Sequence, residues 1–572
     1  MLEGAAQTVL AAERGLSRLA NRKWLVVVLL GLASLAARAL LLPVLPVPKP
    51  AIQDEFSYLL AADTFADGRL TNPTPPFAEH FETLQVLMHP TYASKYPPMS
   101  GLVMALGQKL TGEPWVGVWL AGGALCGAIS WALQGWLPAG WALAGGLVAL
   151  VKIGVLSYWS ESYWGGTCAA IGGALAIGAL PRLIHLQSWR KVVAYAAGLA
   201  ILANTRPYEG LMLAVPATLY LVFSFWHRRV GFAALTRSVL IPACAVLIPV
   251  AVWMAYYNYR VTGNPWEMPY IAHERQYAIW SSLAWQSHAG PRPSFTNSFL
   301  EEFWTHADPH DKLEAREHLI QTHALDLYRL AGFFLGLPLT VCVLMFARAL
   351  WCDRAVRGAL WLFVAFYTGV AFDLRLFPHY FAPGTVLVYI VGAATLRAAR
   401  RSWPGKPVER VFVPWAIAAA FGAVALSGWL TPNNRYLFGP VDYHIRGEWA
   451  SVTDQLMKIP GDHLVLVSYG PKHEIYQELV YNRAEIEHAR VVWARSLGRE
   501  ADQKLIAHFA SRRVWKLTED GKVLLKSHET SEEEKESTKT SQFGLANNRA
   551  FLGALLSFCA DFAYRLGVIV YQ

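Results

Sequence analysis

The chain has 572 residues, of which 54% are hydrophobic and only 16% are charged. So apolar a composition argues against a chain of several soluble domains and indicates a polytopic membrane protein. The net charge of +9 does not indicate nucleic acid as a partner, because the basic residues lie in short loops between apolar segments.

The N-terminal segment carries four basic residues ahead of the first apolar run: Arg14, Arg18, Arg22 and Lys23. Such charge resembles a signal peptide, but the apolar run continues for about 20 residues without a small-residue cleavage site. We interpret it as a retained signal-anchor helix with its N-terminus in the cytoplasm.

Apolar runs of membrane-spanning length recur along the chain. The predicted spans, the shortest being 191–203, are 24–45, 115–137, 139–157, 163–185, 191–203, 207–226, 236–256, 326–348, 356–372, 379–397 and 411–430. The segment Met99–Leu110 is too short to cross and carries Gln108 and Lys109, so it is predicted to be an interfacial helix. The sequence therefore predicts about eleven transmembrane helices.

Every second loop of this arrangement is basic, which places those loops in the cytoplasm. The basic residues concerned are Arg182, Arg190, Lys191, Arg228, Arg229, Arg237, Arg348, Arg354, Arg357, Arg397, Arg400, Arg401, Lys406 and Arg410. The opposite, outer face then carries residues 46–114, 158–162, 257–325 and everything after about 431, with short turns around Arg206 and Arg375. The expected location is the bacterial inner membrane.

The C-terminal part changes character after residue 430. The segments HLVLVSYG, ARVVWARSLG and RRVWKLTED are predicted strands, and HEIYQELVYN and DQKLIAHFAS are predicted amphipathic helices. We expect residues 431–528 to form a small extracytoplasmic α/β domain, and residues 529–572 a disordered linker and tail. The predicted fold is thus an all-α polytopic membrane domain, residues 1–430, with interfacial helices on its outer face and an added α/β domain.

The first candidate site residues stand side by side where residues 46–114, the first outer loop, begin a helix. Asp54 and Glu55 cannot face the same way on a helix, and Tyr58 lies one turn beyond Asp54. A partly desolvated carboxylate here is a candidate general base. The alternative is a solvated helix N-terminus whose acids interact favourably with the helix dipole.

The motif HPTYASKYPPM places Lys95 and Tyr96 directly before two prolines, which hold the entry to the interfacial helix extended. A lysine fixed at the membrane boundary can bind a phosphate. The alternative is an interfacial anchor, because Lys and Tyr favour this depth. His89, at the start of the motif, is interpreted more readily as a structural residue or a headgroup contact.

Two further turns on the predicted outer face carry charge. Arg206 and Glu209 interrupt an apolar hairpin in ANTRPYEG, where an arginine is either a lipid headgroup contact or an anion ligand. Arg375, His379 and Tyr380 lie in FDLRLFPHYFAP between two spans. His379 alone would indicate little, because a buried histidine is more often structural than catalytic.

Together these clusters predict a cationic rim around one carboxylate on the outer face. That combination suits displacement of a lipid-linked phosphate by a hydroxyl, in which the base takes the acceptor proton and the cations stabilise the leaving phosphate. ATP is not available outside the cytosol, so the donor must arrive already activated. The sequence contains no metal-ligand spacing such as HxxxH or DxD, and no metal or other cofactor is predicted to be required.

Three motifs resemble the large family of polytopic C-type glycosyltransferases that includes protein O-mannosyltransferases and lipid A aminoarabinose transferases. They are DEFSY after the first span, KYPP before the interfacial helix and PHYFAP before a late span. The resemblance implies inverting transfer of a sugar from a polyprenyl-phosphate donor to a glycan, lipid or protein acceptor.

The same resemblance assigns roles to particular residues. It implies Asp54 as the base, with Glu55 as second choice, and Lys95, His379 and Tyr380 near the donor phosphate. Many relatives have lysine directly before the two prolines, so Tyr96, which stands there, is a second candidate for the Lys95 role. Arg206 has no family counterpart and is assigned to the phosphate by position alone.

Two other classes remain open from the sequence. A transporter or flippase of a lipid-linked or amphiphilic substrate would also have many crossings and a few intramembrane charges. A non-catalytic assembly or sensory protein would use its C-terminal domain as the functional part. The concentration of charge in the outer loops favours the enzyme, and nothing in the sequence indicates the sugar, the acceptor or the oligomeric state.

Overall fold

The computed structural model describes residues 2–185, 188–284, 294–374, 376–430, 448–519 apart from 471, 472, 474 and 477, and 523–527. The predicted linker and tail, residues 529–572, lie outside the described residues, and so does Arg375.

The membrane domain is built from α-helices. In its first half they are Leu2–Asn21, Lys23–Leu40, Gln53–Ala66, Ala78–Phe81, Pro98–Thr111, Trp115–Trp136, Ala139–Ala149, Thr167–His185, Trp189–Ala203, Pro207–His227, Phe232–Leu235, Ile241–Thr262 and Pro269–Tyr277. In its second half they are Ser298–Glu302, Asp308–Glu317, Leu319–Phe334, Gly336–Met345, Ala347–Cys352, Arg354–Val370, Thr385–Ser402 and Pro407–Leu430. Three π-helical turns, Leu150–Val155, Thr236–Leu240 and Phe303–Ala307, and one 3-10 turn, Ala382–Gly384, continue neighbouring helices.

The chain is a multi-pass membrane protein, but fewer helices reach full spanning length than the sequence predicts. Among the residues described, seven helices are long and apolar enough to cross, or eight if one bent pair counts as a span. The other predicted spans fall on Ala139–Val155, Trp189–Ala203 and Arg354–Val370, none longer than 17 residues. Seven or eight of the roughly eleven predicted crossings thus coincide with candidate spans among the described residues, and shorter helices occupy the other three positions.

The predicted span 326–348 is not straight. The helix axis bends by 110° between Leu319–Phe334 and Gly336–Met345. Gly336 stands at the break with a φ of +65°, a left-handed conformation that glycine adopts without the steric cost other residues would incur. The apolar pattern continues through the break, which is why the sequence does not reveal it.

Residues 46–114, the first outer loop of the predicted topology, fold around two packed helices, Gln53–Ala66 and the predicted interfacial helix Pro98–Thr111. Their close approach depends on Gly101, where an added Cβ would lie 2.7 Å from the Cβ of Ala61. Between them, strands β1 (Val86–Leu87) and β2 (Ala93–Ser94) form an antiparallel pair. This packing fixes the start of one helix beside the start of the other.

The C-terminal domain contains a four-stranded sheet in the order β4-β3-β5-β6. Its strands are β3 (His463–Tyr469), β4 (Val491–Arg495), β5 (Arg513–Glu519) and β6 (Val523–Ser527). β3 pairs in parallel with β4 and β5, whereas β6 runs antiparallel to β5. Helices Glu448–Leu456 and Arg499–His508 accompany the sheet, so the three predicted strands and the second predicted helix are confirmed.

The first helix predicted for this domain, HEIYQELVYN, is wrong. Of the described residues of that segment, 475 and 476 form a turn, and 473 and 478–482 have no regular secondary structure. Glu478, which is 4% exposed, accepts hydrogen bonds from the backbone N–H groups of Leu479 and Val480 and pairs with Arg495. The ion pair with Arg495 in β4, together with these local hydrogen bonds, outweighs the local helical pattern.

The C-terminal domain packs directly onto the first outer loop. The rings of Phe56 and Tyr481 stack with their centroids 4.1 Å apart. Asp63 accepts a hydrogen bond from the backbone N–H of Ala484 at 2.8 Å and forms an ion pair with Arg483. The helix that begins with the candidate carboxylates therefore also supports the α/β domain.

Candidate active site

Asp54 lies in the first turn of helix Gln53–Ala66 and is half-buried. Its carboxylate accepts a hydrogen bond from the phenol of Tyr96. The Tyr96 ring stacks on the ring of Tyr58, with 4.2 Å between centroids and 12° between planes. Burial and the neighbouring Asp54 hold the pKa of the Tyr96 phenol well above its usual range, so this residue keeps its proton and donates.

Glu55, the adjacent carboxylate, points elsewhere and is fully buried. Its carboxylate accepts hydrogen bonds from the backbone N–H groups of Ala51 at 2.8 Å, Ile52 at 3.3 Å and Tyr163 at 3.0 Å. These bonds satisfy the helix N-terminus and tie it to the turn that contains Tyr163. The geometry gives Glu55 a structural part and leaves Asp54 as the carboxylate of the site.

Lys95 precedes the interfacial helix and is 8% exposed. Its ammonium lies 5.3 Å from the ring centroid of Tyr96 and 5.0 Å from that of Tyr270. Burial lowers the pKa of this ammonium to about 8, although the field of Asp54 opposes the shift. In the part of the chain that the structure describes, Lys95 forms no ion pair, so an anion brought into this space would meet a desolvated cation.

Arg206 supplies a second cation, at the start of helix Pro207–His227. Its guanidinium lies 4.4 Å from the ring centroid of Tyr380 and 3.6 Å from the carboxylate of Glu209. Arg206 also acts electrostatically on Tyr58, Tyr96 and Tyr380. Asp54 acts on the same three tyrosines, so the carboxylate and the guanidinium share one set of neighbours.

His379 lies beside this group in an aromatic environment and is 2% exposed. Its Nδ1 is hydrogen bonded to the hydroxyl of Tyr158 at 2.8 Å, and its ring lies 4.5 Å from the ring of Trp164. The ring of Tyr380 is also 4.5 Å away. His379 is thus held in place and in turn packs against the tyrosine under Arg206.

The structure brings together most of the predicted residues, from turns far apart in the chain. They are Asp54, Tyr58, Lys95, Tyr96, Arg206, Glu209, His379 and Tyr380. His89 is not among them: its side chain is exposed, and its backbone carbonyl accepts a hydrogen bond from Gln276. Arg375 cannot be placed, since it lies outside the described residues.

Two residues of the site were missed by the sequence analysis. Tyr270, in helix Pro269–Tyr277, faces Lys95, and Glu274 one turn later acts electrostatically on both. The available signal was the pair Pro269 and Tyr270 at the start of a helix, which resembles the prolines after Tyr96. No local pattern shows that these two helix starts meet.

One group of side chains has the geometry to hold a metal ion among the residues described: His310, Asp311 and Glu314. It includes none of the carboxylates of the site, and two of its three members are exposed. The expectation that no metal is required stays a prediction.

The arrangement as a whole is a carboxylate, a desolvated ammonium and a guanidinium separated by tyrosine rings. A carboxylate can accept a proton from a hydroxyl, and the two cations can stabilise charge developing on a leaving anion. The phenols of Tyr58, Tyr96 and Tyr380 offer hydrogen bonds without adding charge.

No protein-family model matches the chain, and no curated protein sequence matches it. Its structure is similar to ArnT from Cupriavidus metallidurans bound to undecaprenyl phosphate, with 15% identity, a TM-score of 0.48, and coverage of 86% of this chain and 93% of that one. It is also similar to the oligosaccharyltransferase of Archaeoglobus fulgidus in complex with Zn and sulfate, with 12% identity, a TM-score of 0.39, and coverage of 86% and 67%.

The similarity to these two structures extends over 86% of this chain. It is a similarity of general arrangement. Because the identities are 15% and 12% and both TM-scores are below 0.5, it carries no argument about activity. The function proposed below depends on the geometry of the site.

Proposed function

We propose that this protein is a membrane glycosyltransferase that moves a sugar from a polyprenyl-phosphate donor to an acceptor on the face that carries the first outer loop. One observation carries the proposal: Asp54, Lys95 and Arg206 meet around shared tyrosines at the boundary of the membrane domain. A lipid-anchored phosphate would lie at this depth, and a buried ammonium without an ion pair favours an anionic group beside it.

In the proposed reaction the oxygen of an acceptor hydroxyl bonds to the anomeric carbon of the sugar. Asp54 takes the proton of that hydroxyl as the bond forms. The bond from that carbon to the phosphate oxygen breaks, and its electron pair leaves with the polyprenyl phosphate. Lys95 and Arg206 stabilise the negative charge that grows on this phosphate. Attack opposite the leaving group inverts the anomeric centre.

The other residues of the site position the base and the two cations. Tyr96 holds the Asp54 carboxylate by a hydrogen bond, and Tyr380, positioned by His379, holds the Arg206 guanidinium by a cation–π contact. Glu209 keeps a carboxylate near Arg206 when no phosphate is bound. Tyr58 supports the Tyr96 ring from the other side.

The test is release of polyprenyl phosphate by the purified protein from a panel of polyprenyl-phosphate sugars, with glycan, lipid and peptide acceptors. We expect release with one donor class and its loss in Asp54→Asn. Asp67→Asn is the matched control, because Asp67 is an exposed carboxylate at the end of the same helix. A transporter would instead move the lipid-linked substrate across a vesicle membrane without releasing phosphate, and that result would overturn the proposal.

A further inference from the structure

Two buried serines, Ser57 and Ser94, join the segments that carry Asp54 and Tyr96. Ser57 lies one turn after Asp54 in helix Gln53–Ala66 and is fully buried. Ser94, in strand β2, is 2% exposed. Their hydroxyl oxygens are 2.8 Å apart. This serine pair therefore connects the helix of the proposed base to the strand that leads to Tyr96.

The direction of the hydrogen bonds around the serine pair follows from its neighbours. The Ser57 hydroxyl is 2.6 Å from the backbone carbonyl of Gln85, and a carbonyl only accepts, so Ser57 donates there. A serine hydroxyl has one proton, so Ser94 must donate the bond between the two serines. The oxygen of Ser94 in turn accepts from the backbone N–H of Tyr96 at 3.2 Å. The three bonds thus run in one direction, from Tyr96 to Gln85.

Gln85, where these bonds end, has an unusual backbone conformation. Its φ of +64° is left-handed, which is uncommon for a residue other than glycine. Its carbonyl accepts from the Ser57 hydroxyl and also from the backbone N–H of Lys95, at 3.4 Å. One carbonyl therefore holds both the helix at Ser57 and the chain at Lys95.

The backbone N–H of Tyr96 is the last one before the interfacial helix begins. The two prolines that follow have no N–H group. The next donor, the N–H of Met99, bonds to the carbonyl of Asn204 at 3.0 Å. The bond from Tyr96 to Ser94 therefore fixes the backbone from which the phenol reaches Asp54.

We propose that Ser57 is a positioning residue of the transfer reaction, which acts through Ser94 on the phenol that holds Asp54. The inference rests on the proposed function and adds to it a residue that touches neither the substrates nor the reacting atoms. Ser57 lies on the helix of the proposed base, and Ser94 precedes Tyr96 by two positions. The serine pair thereby sets the base and its hydrogen-bond donor relative to one another.

The first measurement is the kinetics of polyprenyl phosphate release by Ser57→Ala. We expect kcat to fall about fivefold, as for the loss of one hydrogen bond, and the donor KM to stay within about twofold. The KM is spared because the backbone N–H of Lys95 keeps its bond to the Gln85 carbonyl. A rise in donor KM at unchanged kcat would overturn the proposal, because Ser57 would then act on Lys95.

The decisive comparison is made in Tyr96→Phe, which has no phenol to hold Asp54. If Ser57 acts through Tyr96, adding Ser57→Ala to this variant should change kcat by less than about 1.5-fold. Two losses that multiply would overturn the proposal, because a general loss of structure lowers kcat by the same factor in either background. Ser94→Ala interrupts the same bonds from the strand, should give the same results, and carries the test if Ser57→Ala does not fold.

Thr64→Val is the matched control. Thr64 is a 2% exposed residue of the same helix, and its hydroxyl donates to the carbonyl of Leu60 and accepts from the side chain of Asn72. The change removes a buried hydroxyl away from the site, so the melting temperature should fall while kcat stays at the wild-type value. A loss of kcat equal to that of Ser57→Ala would overturn the assignment.

Hydrogen exchange separates this inference from the proposed function. Peptic fragments that end at residues 95 and 98 differ only by the N–H of Tyr96, because residues 97 and 98 are prolines. Ser57→Ala should speed exchange at that N–H whatever the activity of the protein. If no donor yields polyprenyl phosphate while this exchange quickens, the transferase is overturned and the link from Ser57 to Tyr96 stands. Release of phosphate by the wild type with unchanged exchange in Ser57→Ala would overturn the inference alone.

Discussion

The phenol of Tyr96 donates its hydrogen bond to the carboxylate of Asp54, although 42 positions separate the two residues. The prolines after Tyr96 and the packing of helix Pro98–Thr111 on helix Gln53–Ala66 hold this pair together. From this bond we infer that Tyr96 orients the proposed base, Asp54, whereas its place before the prolines implies a phosphate ligand.

The first prediction follows from that bond. Tyr96→Phe keeps the ring stacked on Tyr58 and removes only the hydroxyl, so kcat for sugar transfer should fall about tenfold while the donor KM changes little, as expected for one lost hydrogen bond of about 1.4 kcal/mol. The measurement is steady-state kinetics of polyprenyl phosphate release. A rise in donor KM at unchanged kcat would instead indicate that Tyr96 binds the donor phosphate.

The second prediction concerns pH and Lys95. Burial lowers the pKa of its ammonium to about 8, so the charge is present below that pH and is lost above it. Binding of the donor phosphate should weaken as pH rises through about 8, seen as an increase in donor KM. Lys95→Arg keeps its charge over this range and should show a flat KM between about pH 7 and 9.5. The same alkaline rise in both proteins would contradict the assignment.

A third prediction concerns the ion pair of Arg38 and Glu161, which joins the end of the first span to the turn that contains Tyr163. Arg38 is 1% exposed and Glu161 is fully buried, and the guanidinium also donates to the backbone carbonyl of Leu45. Glu161→Ala leaves a buried cation without its counter-ion, so the free energy of unfolding should fall by about 3–5 kcal/mol. Thermal unfolding in detergent is the measurement.

The control for that change is the exposed ion pair of Lys49 and Asp454, whose side chains are about half exposed. Lys49→Ala should cost no more than about 1 kcal/mol, because solvent screens such a pair. If Glu161→Ala and Lys49→Ala lowered the free energy of unfolding equally, burial of the Arg38–Glu161 pair would not contribute to stability.

The fourth prediction concerns docking of the C-terminal domain through Asp63. Burial raises the pKa of this carboxyl, but the hydrogen bonds from Arg483 and from the backbone N–H of Ala484 outweigh it, and the pKa lies below its usual value of 3.8. Its contribution to stability is present above the unfolded-state pKa of about 3.9 and is lost as pH falls through the folded value. Acidification below about pH 4 should loosen the domain.

Asp63→Asn should loosen the domain already at neutral pH, because the ion pair with Arg483 is gone. Hydrogen exchange around Phe56 and Tyr481, which stack across the contact, measures this directly. Glu317→Gln, an exposed change in helix Asp308–Glu317, serves as the control. Unchanged exchange in Asp63→Asn at neutral pH would show that the aromatic contact alone holds the domain.

The sequence predicts those parts of the fold that depend on local patterns. The helices of the membrane domain and strands β3 to β5 follow from the periodicity of their apolar residues, and Asp54, Lys95 and Arg206 stand out because charge at a membrane boundary is costly. The bend at Gly336 and the irregular chain around Glu478 could not be predicted, because the first lies inside an unbroken apolar run and the second depends on Arg495 in a neighbouring strand.

The same distinction holds for the site. Asp54 and Tyr96 belong to motifs that local sequence makes conspicuous, whereas Tyr270 and Glu274 reach Lys95 only through the packing of helix Pro269–Tyr277 beside strand β1. Which of Asp54 and Glu55 belongs to the site likewise depends on where each side chain points. It depends on which carboxylate the backbone N–H of Tyr163 engages, and that contact spans 108 positions.

Asp63 is synthesised 420 positions ahead of its partner Arg483. While the ribosome adds the intervening spans, the helix that carries both Asp54 and Asp63 has neither the ion pair nor the Phe56–Tyr481 stack to cover its buried side. The contacts that cover this helix can therefore form only after Arg483 has been added to the chain. Until then the start of the candidate site lacks the support of the C-terminal domain.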